Sequence, residues 1–197
     1  MTDKLLFIHI PKTAGSSLNR TPIVQAASKK IHPFNGLIED KITEIGAVEY
    51  FKFGFVRNPW ARFFSLYNYF YKMDENHIHY KYNAHIVKVV KKFDCFSDFC
   101  RDFPSLRLRN NFHFYPQSRY VFDRKGKQIL DYLGHVENLA YCVQELCETL
   151  GLKSDFQIPH VNKSTSDDYR LFYTAEDIKL IEEYFSEDVL RFNYRFE

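Results

Sequence analysis

The chain has 197 residues, which is enough for one domain with a sizeable buried core. Hydrophobic residues make up 45% of it and charged residues 26%, as in an ordinary globular protein. The net charge of +2 does not favour a nucleic-acid-binding or a membrane-surface protein. No apolar run approaches the ~20 residues that span a bilayer, and no signal peptide precedes the first predicted strand, so we expect a soluble, cytoplasmic protein.

Two apolar runs predict buried parallel strands in the first third of the chain. The first covers residues 5–10 and is ended by Pro11, after which a helix is predicted over residues 15–27. The second covers residues 50–56 and follows a short predicted helix over residues 38–45. A strand, a tight loop and a helix in this order form the beginning of an α/β unit.

A helix start follows the second strand directly. Asn58 is suited to the N-cap position and Pro59 to the first helical position. The apolar stripe of this helix consists of Trp60, Phe63, Phe64, Tyr67 and Phe70. Aromatic residues make up 18% of the whole chain, and we interpret most of them as core residues.

The second half of the chain continues the alternation of helices and strands. Helices are predicted around residues 84–92 and 96–103, and a third strand over residues 129–136. Asn138 is predicted to cap a further helix, which Gly151 ends.

The last predicted helix begins with a capping box made by Thr174 and Asp177, and it continues through Val189. We find no repeats, low-complexity segments or linkers. Strands that alternate with helices therefore predict a single domain over residues 1–197, with a three-layer α/β/α fold and a central, mainly parallel sheet.

Cysteine and histidine spacing gives no indication of a metal site. None of the four cysteines forms a C-x-x-C pair, and no usual zinc spacing is present. His77 and His79 lie in a polar stretch that offers no third ligand. We therefore expect reduced thiols and no bound metal.

The loop after the first strand has the composition of an anion site. It consists of Pro11, Lys12, Thr13, Ala14, Gly15, Ser16 and Ser17. Backbone N–H groups converge at such a strand-to-helix turn, and small side chains let a phosphate approach them. Lys12 adds a full positive charge. Triphosphate-binding loops place their lysine late, after a second glycine, whereas here the lysine comes early and no glycine precedes it.

This loop and a second motif resemble the carbohydrate (membrane-associated type) sulfotransferase family. Residues 7–18 are similar to the family's 5'-phosphosulfate loop, and residues 55–67 to its 3'-phosphate motif, in which a strand-ending arginine precedes a serine by eight residues. Further similar segments follow in the family's order, namely residues 115–118, 136–139, 159–164, 173–174 and 192–194. The resemblance implies a P-loop-type fold and sulfotransferase activity.

The resemblance also implies the donor, PAPS (3'-phosphoadenosine 5'-phosphosulfate), and the residues that hold it. Lys12 and the loop amides would bind the 5'-phosphosulfate, and Lys12 would act in catalysis by neutralising charge on the leaving group. Arg57, with its forked guanidinium, and the Ser65 hydroxyl would bind the 3'-phosphate. Lys163 is a further expected contact to the donor phosphates. No metal is required.

The acceptor side is less constrained by the sequence. His32 is the first candidate for the general base that takes the acceptor's proton. Residues 101–127 carry seven basic and two acidic residues, which indicates either a solvated loop face or a site for an anionic acceptor. Gln117 and Arg119 are candidates for the donor or the acceptor side. The family's acceptors, often uronic-acid or sulfated sugars, imply a carbohydrate partner, and the basic stretch would suit an anionic one.

Two alternatives remain at this stage. A P-loop phosphotransferase would need Mg²⁺ and a late lysine in the loop. A catalytically inactive nucleotide-binding relative would be expected to lack Lys12 or the base. Neither alternative, nor the preferred interpretation, involves nucleic acid as a partner.

Overall fold

The computed structural model describes residues 4–32, 36–152 and 168–197. The chain divides into two compact units. The first comprises Met1–Arg57 with Pro116–Thr165, and the second comprises Asn58–Tyr115 with Ser166–Glu197. The single domain over residues 1–197 stays a prediction.

The first unit is built on a four-stranded sheet. Its strands are β1 (Leu5–Ile8), β2 (Lys29–Ile31), β3 (Phe51–Val56) and β4 (Tyr132–His135). Their order across the sheet is β2-β1-β3-β4, and each neighbouring pair is parallel. The predicted α/β fold with a parallel central sheet is therefore confirmed.

The two central strands, β1 and β3, form where the sequence is most apolar. All four residues of β1 are buried, as are the last four of β3, which suits strands in the middle of a parallel sheet. The third predicted strand is shorter than expected: β4 covers Tyr132–His135, whereas the prediction covered residues 129–136. The strand β2 was not predicted, since Lys29 and Lys30 interrupt any apolar pattern.

The helices of the first unit are α1 (Gly15–Leu18), α2 (Pro22–Ala26), α3 (Ile38–Glu44), α7 (Ser118–Val121) and α8 (Leu139–Thr149). The helix predicted over residues 15–27 is wrong as one element, because it is divided between α1 and α2. Thr21 is extended and Pro22 begins α2, since proline disfavours a helical conformation in the residue before it.

The helix α8 packs on β4 and α2, and its apolar face joins β1 and β3 in the core of the first unit. Gly151, with φ 65°, follows its last residues as predicted. Asn138 stands at the N-cap position, but its side chain makes no capping hydrogen bond, so this part of the prediction is wrong.

The second unit contains the helices α4 (Pro59–Lys72), α5 (Tyr80–Val90), α6 (Phe96–Asp102), α9 (Ala175–Tyr184) and α10 (Ser186–Phe192). The predicted capping box is confirmed: the Thr174 hydroxyl accepts from the Asp177 N–H, and the Asp177 carboxylate accepts from the Thr174 N–H. The last helix does not run through Val189 without interruption, because it breaks at Phe185.

An aromatic cluster forms the core of the second unit. Phe63 on α4 lies at its centre, with its ring centroid 4.9 to 6.2 Å from those of five other phenylalanines. These are Phe96, Phe99, Phe103, Phe114 and Phe185. Edge-to-face and offset pairs of this kind add stability beyond the burial of their area. Within the described ranges, no helix has the length and apolar character required to cross a membrane.

The start of α4 yields a test of this unit's stability. The Asn58 carboxamide oxygen accepts from the N–H groups of Trp60 and Ala61, at 3.1 and 3.3 Å. We expect Asn58→Ala to lower the free energy of unfolding by about 0.5–2 kcal/mol through loss of this cap. The hydrogen bond that its Nδ2 atom donates to the Arg195 carbonyl, at 2.7 Å, is lost as well and adds to the effect. Urea titration followed by the fluorescence of Trp60, the chain's single tryptophan, measures it.

Asn138→Ala is the matched control. Asn138 occupies an N-cap position without a side-chain cap bond, so its replacement should change the free energy of unfolding by less than about 0.5 kcal/mol. Equal losses in the two variants would contradict the role given to the Asn58 cap.

Candidate functional site

The loop after β1 adopts an unusual backbone conformation. Lys12 and Ala14 have φ values of 66° and 60°, in the left-handed region that residues with a Cβ rarely adopt. The Thr13 hydroxyl is buried and donates to the Ile10 carbonyl at 2.9 Å, which closes the loop from inside. Such alternations of backbone conformation turn neighbouring N–H groups toward one side and create concave anion sites.

Within the described residues, several N–H groups of this loop make no hydrogen bond to the protein. The N–H groups of Ser17 and Leu18 donate to the Ala14 carbonyl, which begins α1. Across the described ranges, no protein group accepts from the N–H of Ala14, Gly15 or Ser16. Because α1 is a single turn, its dipole contributes less than the long predicted helix would have done. The N–H groups and nearby cations must supply most of the attraction for an anion.

Gly15 is required because the imidazole of His9 lies against it. A Cβ atom at residue 15 would come within 2.1 Å of the His9 Nε2 atom, which is impossible without movement of the loop or the ring. The His9 ring also stacks on Phe7, at 5.8 Å between centroids. His9 therefore supports the loop from the strand side.

His9 is neutral at physiological pH. Burial lowers the pKa of His9 to about 4, with smaller contributions from His32 and Lys12. A neutral imidazole beneath the loop adds no positive charge to the site, so His9 acts there as a packing group.

Lys12 and Arg57 are brought together although 45 residues separate them in the chain. Arg57 directly follows β3, and one of its guanidinium nitrogens lies 3.5 Å from the Lys12 carbonyl oxygen. Burial, and to a smaller extent the positive charge of Arg57, lower the pKa of Lys12 to about 8.

This lowered pKa shows that the site disfavours the charge on Lys12. Between about pH 8 and 10.5 the folded chain binds fewer protons at Lys12 than the unfolded chain does, so this group's contribution to folding stability rises with pH in that range. A bound anion would reverse the preference, because it favours the ammonium form. In the first unit, burial and the neighbouring charge of Arg57 thus both act against the ammonium form of Lys12.

Gln117 fixes the backbone of Arg57. Its side chain accepts a hydrogen bond from the Arg57 N–H at 2.9 Å and donates one to the Arg57 carbonyl at 2.8 Å. Gln117 is fully buried, so it does not face solvent or an acceptor. The sequence does not assign Gln117 to the donor side or to the acceptor side, because a local pattern does not reveal a contact between residues that are 60 positions apart.

The other predicted site residues are placed as follows. His32 directly follows β2, is exposed, and lies with its ring edge-on to His9 at 6.1 Å between centroids. Ser65 lies on α4 in the second unit and is half-buried. Lys163 lies outside the described residues.

Two of the basic residues between 101 and 127 are engaged in ion pairs. Arg101 pairs with Asp98 at 2.9 Å, within the second unit. Arg124 pairs with Glu39 at 3.2 Å and also with Asp40, within the first. These contacts leave fewer basic side chains for an anionic acceptor than the sequence suggested.

No group of three or more histidine, cysteine, aspartate or glutamate side chains in the described part of the chain is arranged to hold a metal ion. The rings of His77 and His79 are neighbours, at 5.6 Å between centroids.

In a comparison with protein families, the model of a family described as the sulfotransferase family matches residues 1–195. A search of curated proteins found no match. A search of solved structures found none either.

The electrostatics of Lys12 can be measured directly. We expect its pKa to be about 8 and to rise when sulfate is added, because a bound anion stabilises the ammonium group. NMR detection of the lysine Nζ groups over about pH 6 to 11 measures it, with Lys12→Arg identifying the signal by its loss.

Arg57→Met provides the complementary variant. It should raise the pKa of Lys12 only part of the way toward its ordinary value, because burial is the larger cause. An unchanged pKa of Lys12 in Arg57→Met would contradict the influence of the Arg57 charge on Lys12.

Proposed function

The chain belongs to the sulfotransferase family and is therefore an enzyme that transfers sulfuryl groups, and we propose that it takes them from PAPS and delivers them to a hydroxyl of a carbohydrate. The family assignment disfavours the alternative of a P-loop phosphotransferase. The presence of Lys12 argues against an inactive relative.

One observation carries the choice of donor: the cations of two separate motifs meet in the first unit. Lys12 from the loop and Arg57 from the end of β3 are close enough that the charge of Arg57 lowers the pKa of Lys12. PAPS has two separate anionic groups, a 5'-phosphosulfate and a 3'-phosphate, which suit two neighbouring cationic positions. The forked guanidinium of Arg57 matches phosphate in a bidentate geometry.

The loop residues suit the 5'-phosphosulfate. The N–H groups of Ala14, Gly15 and Ser16 offer donors to its oxygens, and the lack of a side chain at Gly15 lets the loop pack on His9 in the conformation that presents them. Ser17 is buried at the first turn of α1, and we propose that its hydroxyl and that of Ser16 complete this contact. Ser65 and Lys163 belong to the proposal as further donor contacts.

Lys12 is the proposed catalytic cation. In the transfer, the bond from sulfur to the bridging oxygen breaks while a bond from the acceptor oxygen to sulfur forms in line with it. Negative charge then grows on the oxygen that stays with the 5'-phosphate, and the Lys12 ammonium neutralises it. Positioned electrostatic groups of this kind lower a barrier by about 2.7–4 kcal/mol.

We propose His32 as the base that takes the acceptor's proton. It is exposed at the end of β2, beside the neutral His9 that supports the loop. A base needs such access, since it must meet a hydroxyl that arrives from solution. His9 itself is unsuited, because its ring is packed against Gly15.

The donor proposal predicts a preference between two nucleotides that both carry two phosphates. Adenosine 3',5'-bisphosphate should bind at least about tenfold more tightly than ADP, since only the former has a phosphate at the 3' position. Calorimetry with Mg²⁺ and with EDTA measures this, and we expect no metal dependence. Arg57→Ala should weaken bisphosphate binding by more than about tenfold.

Arg124→Ala is the control, because it removes an equal charge from the first unit at a position that pairs with Glu39. It should leave both affinities unchanged within about twofold. Equal affinity for the bisphosphate and ADP in the unaltered protein would rule out the two-site donor proposal.

The base proposal predicts a loss of turnover without a loss of donor binding. His32→Ala should lower kcat by about 10²- to 10⁴-fold, while bisphosphate affinity stays within about twofold. Transfer from PAPS to a panel of uronic-acid and sulfated oligosaccharides measures turnover.

His85→Ala, at an exposed histidine of α5 in the second unit, is the control and should keep full activity. Near-normal turnover of His32→Ala on the best acceptor of the panel would assign the base to another residue.

A further inference from the structure

The carboxamide of Gln117 pairs with the main chain of Arg57. Its Oε1 atom accepts from the Arg57 N–H and its Nε2 atom donates to the Arg57 carbonyl, at 2.9 and 2.8 Å. Both residues belong to the first unit. The side chain thus repeats the donor-and-acceptor pairing that a neighbouring strand offers to a residue of a sheet.

The position of Arg57 explains why this pairing matters. The ladder between β3 and β4 ends at Val56 opposite His135, so Arg57 is the first residue beyond it. Beyond a ladder, the direction of the chain and of the next Cβ is no longer fixed by strand pairing. Two hydrogen bonds from one rigid, fully buried amide restore that constraint at Arg57.

A fixed main chain directs the guanidinium. The Arg57 side chain reaches the Lys12 carbonyl at 3.5 Å, and its charge acts on Lys12. A long arginine side chain has many rotamers, and anchoring its backbone limits the volume that its guanidinium can sample. Bidentate binding of a phosphate depends on such a limit, because two N–H donors must face two oxygens together.

We propose that Gln117 is a positioning residue that sets the enzyme's preference for a nucleotide with a 3'-phosphate, acting through Arg57. The inference rests on the proposed function, since it takes Arg57 as the 3'-phosphate group. Gln117 itself touches neither the donor nor the acceptor. Its effect is on selectivity, because a misplaced guanidinium loses the 3'-phosphate but not the 5'-phosphate.

Two variants separate positioning from general stability. Gln117→Leu is similar in size and removes both hydrogen bonds. Gln117→Glu keeps an acceptor for the Arg57 N–H, but it places a second carboxylate oxygen against the Arg57 carbonyl. Tyr132→Phe is the control, because it removes a different polar contact of the first unit: the Tyr132 hydroxyl lies 2.8 Å from the Cys142 carbonyl oxygen and 2.7 Å from the Glu145 Oε2 atom.

The experiment compares adenosine 3',5'-bisphosphate with AMP, which lacks the 3'-phosphate, by calorimetry on the full chain. In both Gln117 variants the bisphosphate affinity should fall by about tenfold or more, while AMP affinity changes by less than about threefold. In Tyr132→Phe, the ratio of the two affinities should stay that of the unaltered protein. Circular dichroism checks that each variant is folded.

The outcomes distinguish the inference from its premise. A lack of preference for the bisphosphate in the unaltered protein would remove the proposed donor site, whatever Gln117 does. A normal preference that survives in both Gln117 variants would overturn only the positioning role. Parallel losses for the bisphosphate and AMP would overturn it too, because they indicate collapse of the whole site. If Gln117→Leu does not fold, Gln117→Glu decides.

Discussion

The closeness of two positive charges, on Lys12 and Arg57, is the constraint on which the first unit depends. Like charges repel, and in this unit burial and Arg57 both lower the pKa of Lys12. The parallel pairing of β1 with β3 brings the carboxyl ends of both strands to the same edge of the sheet, so the residues that follow them meet. Open α/β sheets bind their ligands at such an edge. The fold therefore concentrates positive charge at this edge of the sheet.

The surroundings of these cations keep them in place without adding charge. Gln117 is a neutral amide, and it holds Arg57 by its main chain. His9 lies under Gly15 with a pKa of about 4, so it supports the loop as a neutral ring. A protonated histidine there would add a third positive charge beside Lys12 and weaken the ammonium form further. Because Gln117 and His9 are both neutral, they position Lys12 and Arg57 without changing the net positive charge that attracts an anion.

The sequence predicted correctly those strands and helix ends that depend on residues close together in the chain. The apolar runs located β1 and β3, and Asn58 with Pro59 marked the start of α4, because N-cap and proline preferences act within a few residues. The strand β2 escaped prediction because its lysines break the apolar pattern, while its pairing with β1 is long-range. The break before Pro22 could have been predicted from the sequence, because proline disfavours a helical conformation in the residue before it. The helix predicted over residues 15–27 ran across this proline and was therefore too long.

The sequence by itself determined the residue types of the loop, the early position of Lys12 and the resemblance to sulfotransferases that the family match confirms. These are properties of consecutive residues, so they can be read from the sequence alone. Only the tertiary structure decided that Lys12 and Arg57 act on each other, that His9 makes Gly15 obligatory and that Gln117 is a buried partner of Arg57. Each of these contacts joins different elements or the two ends of a tight loop. Distances between such groups are set by strand pairing and packing, which no spacing along the chain specifies.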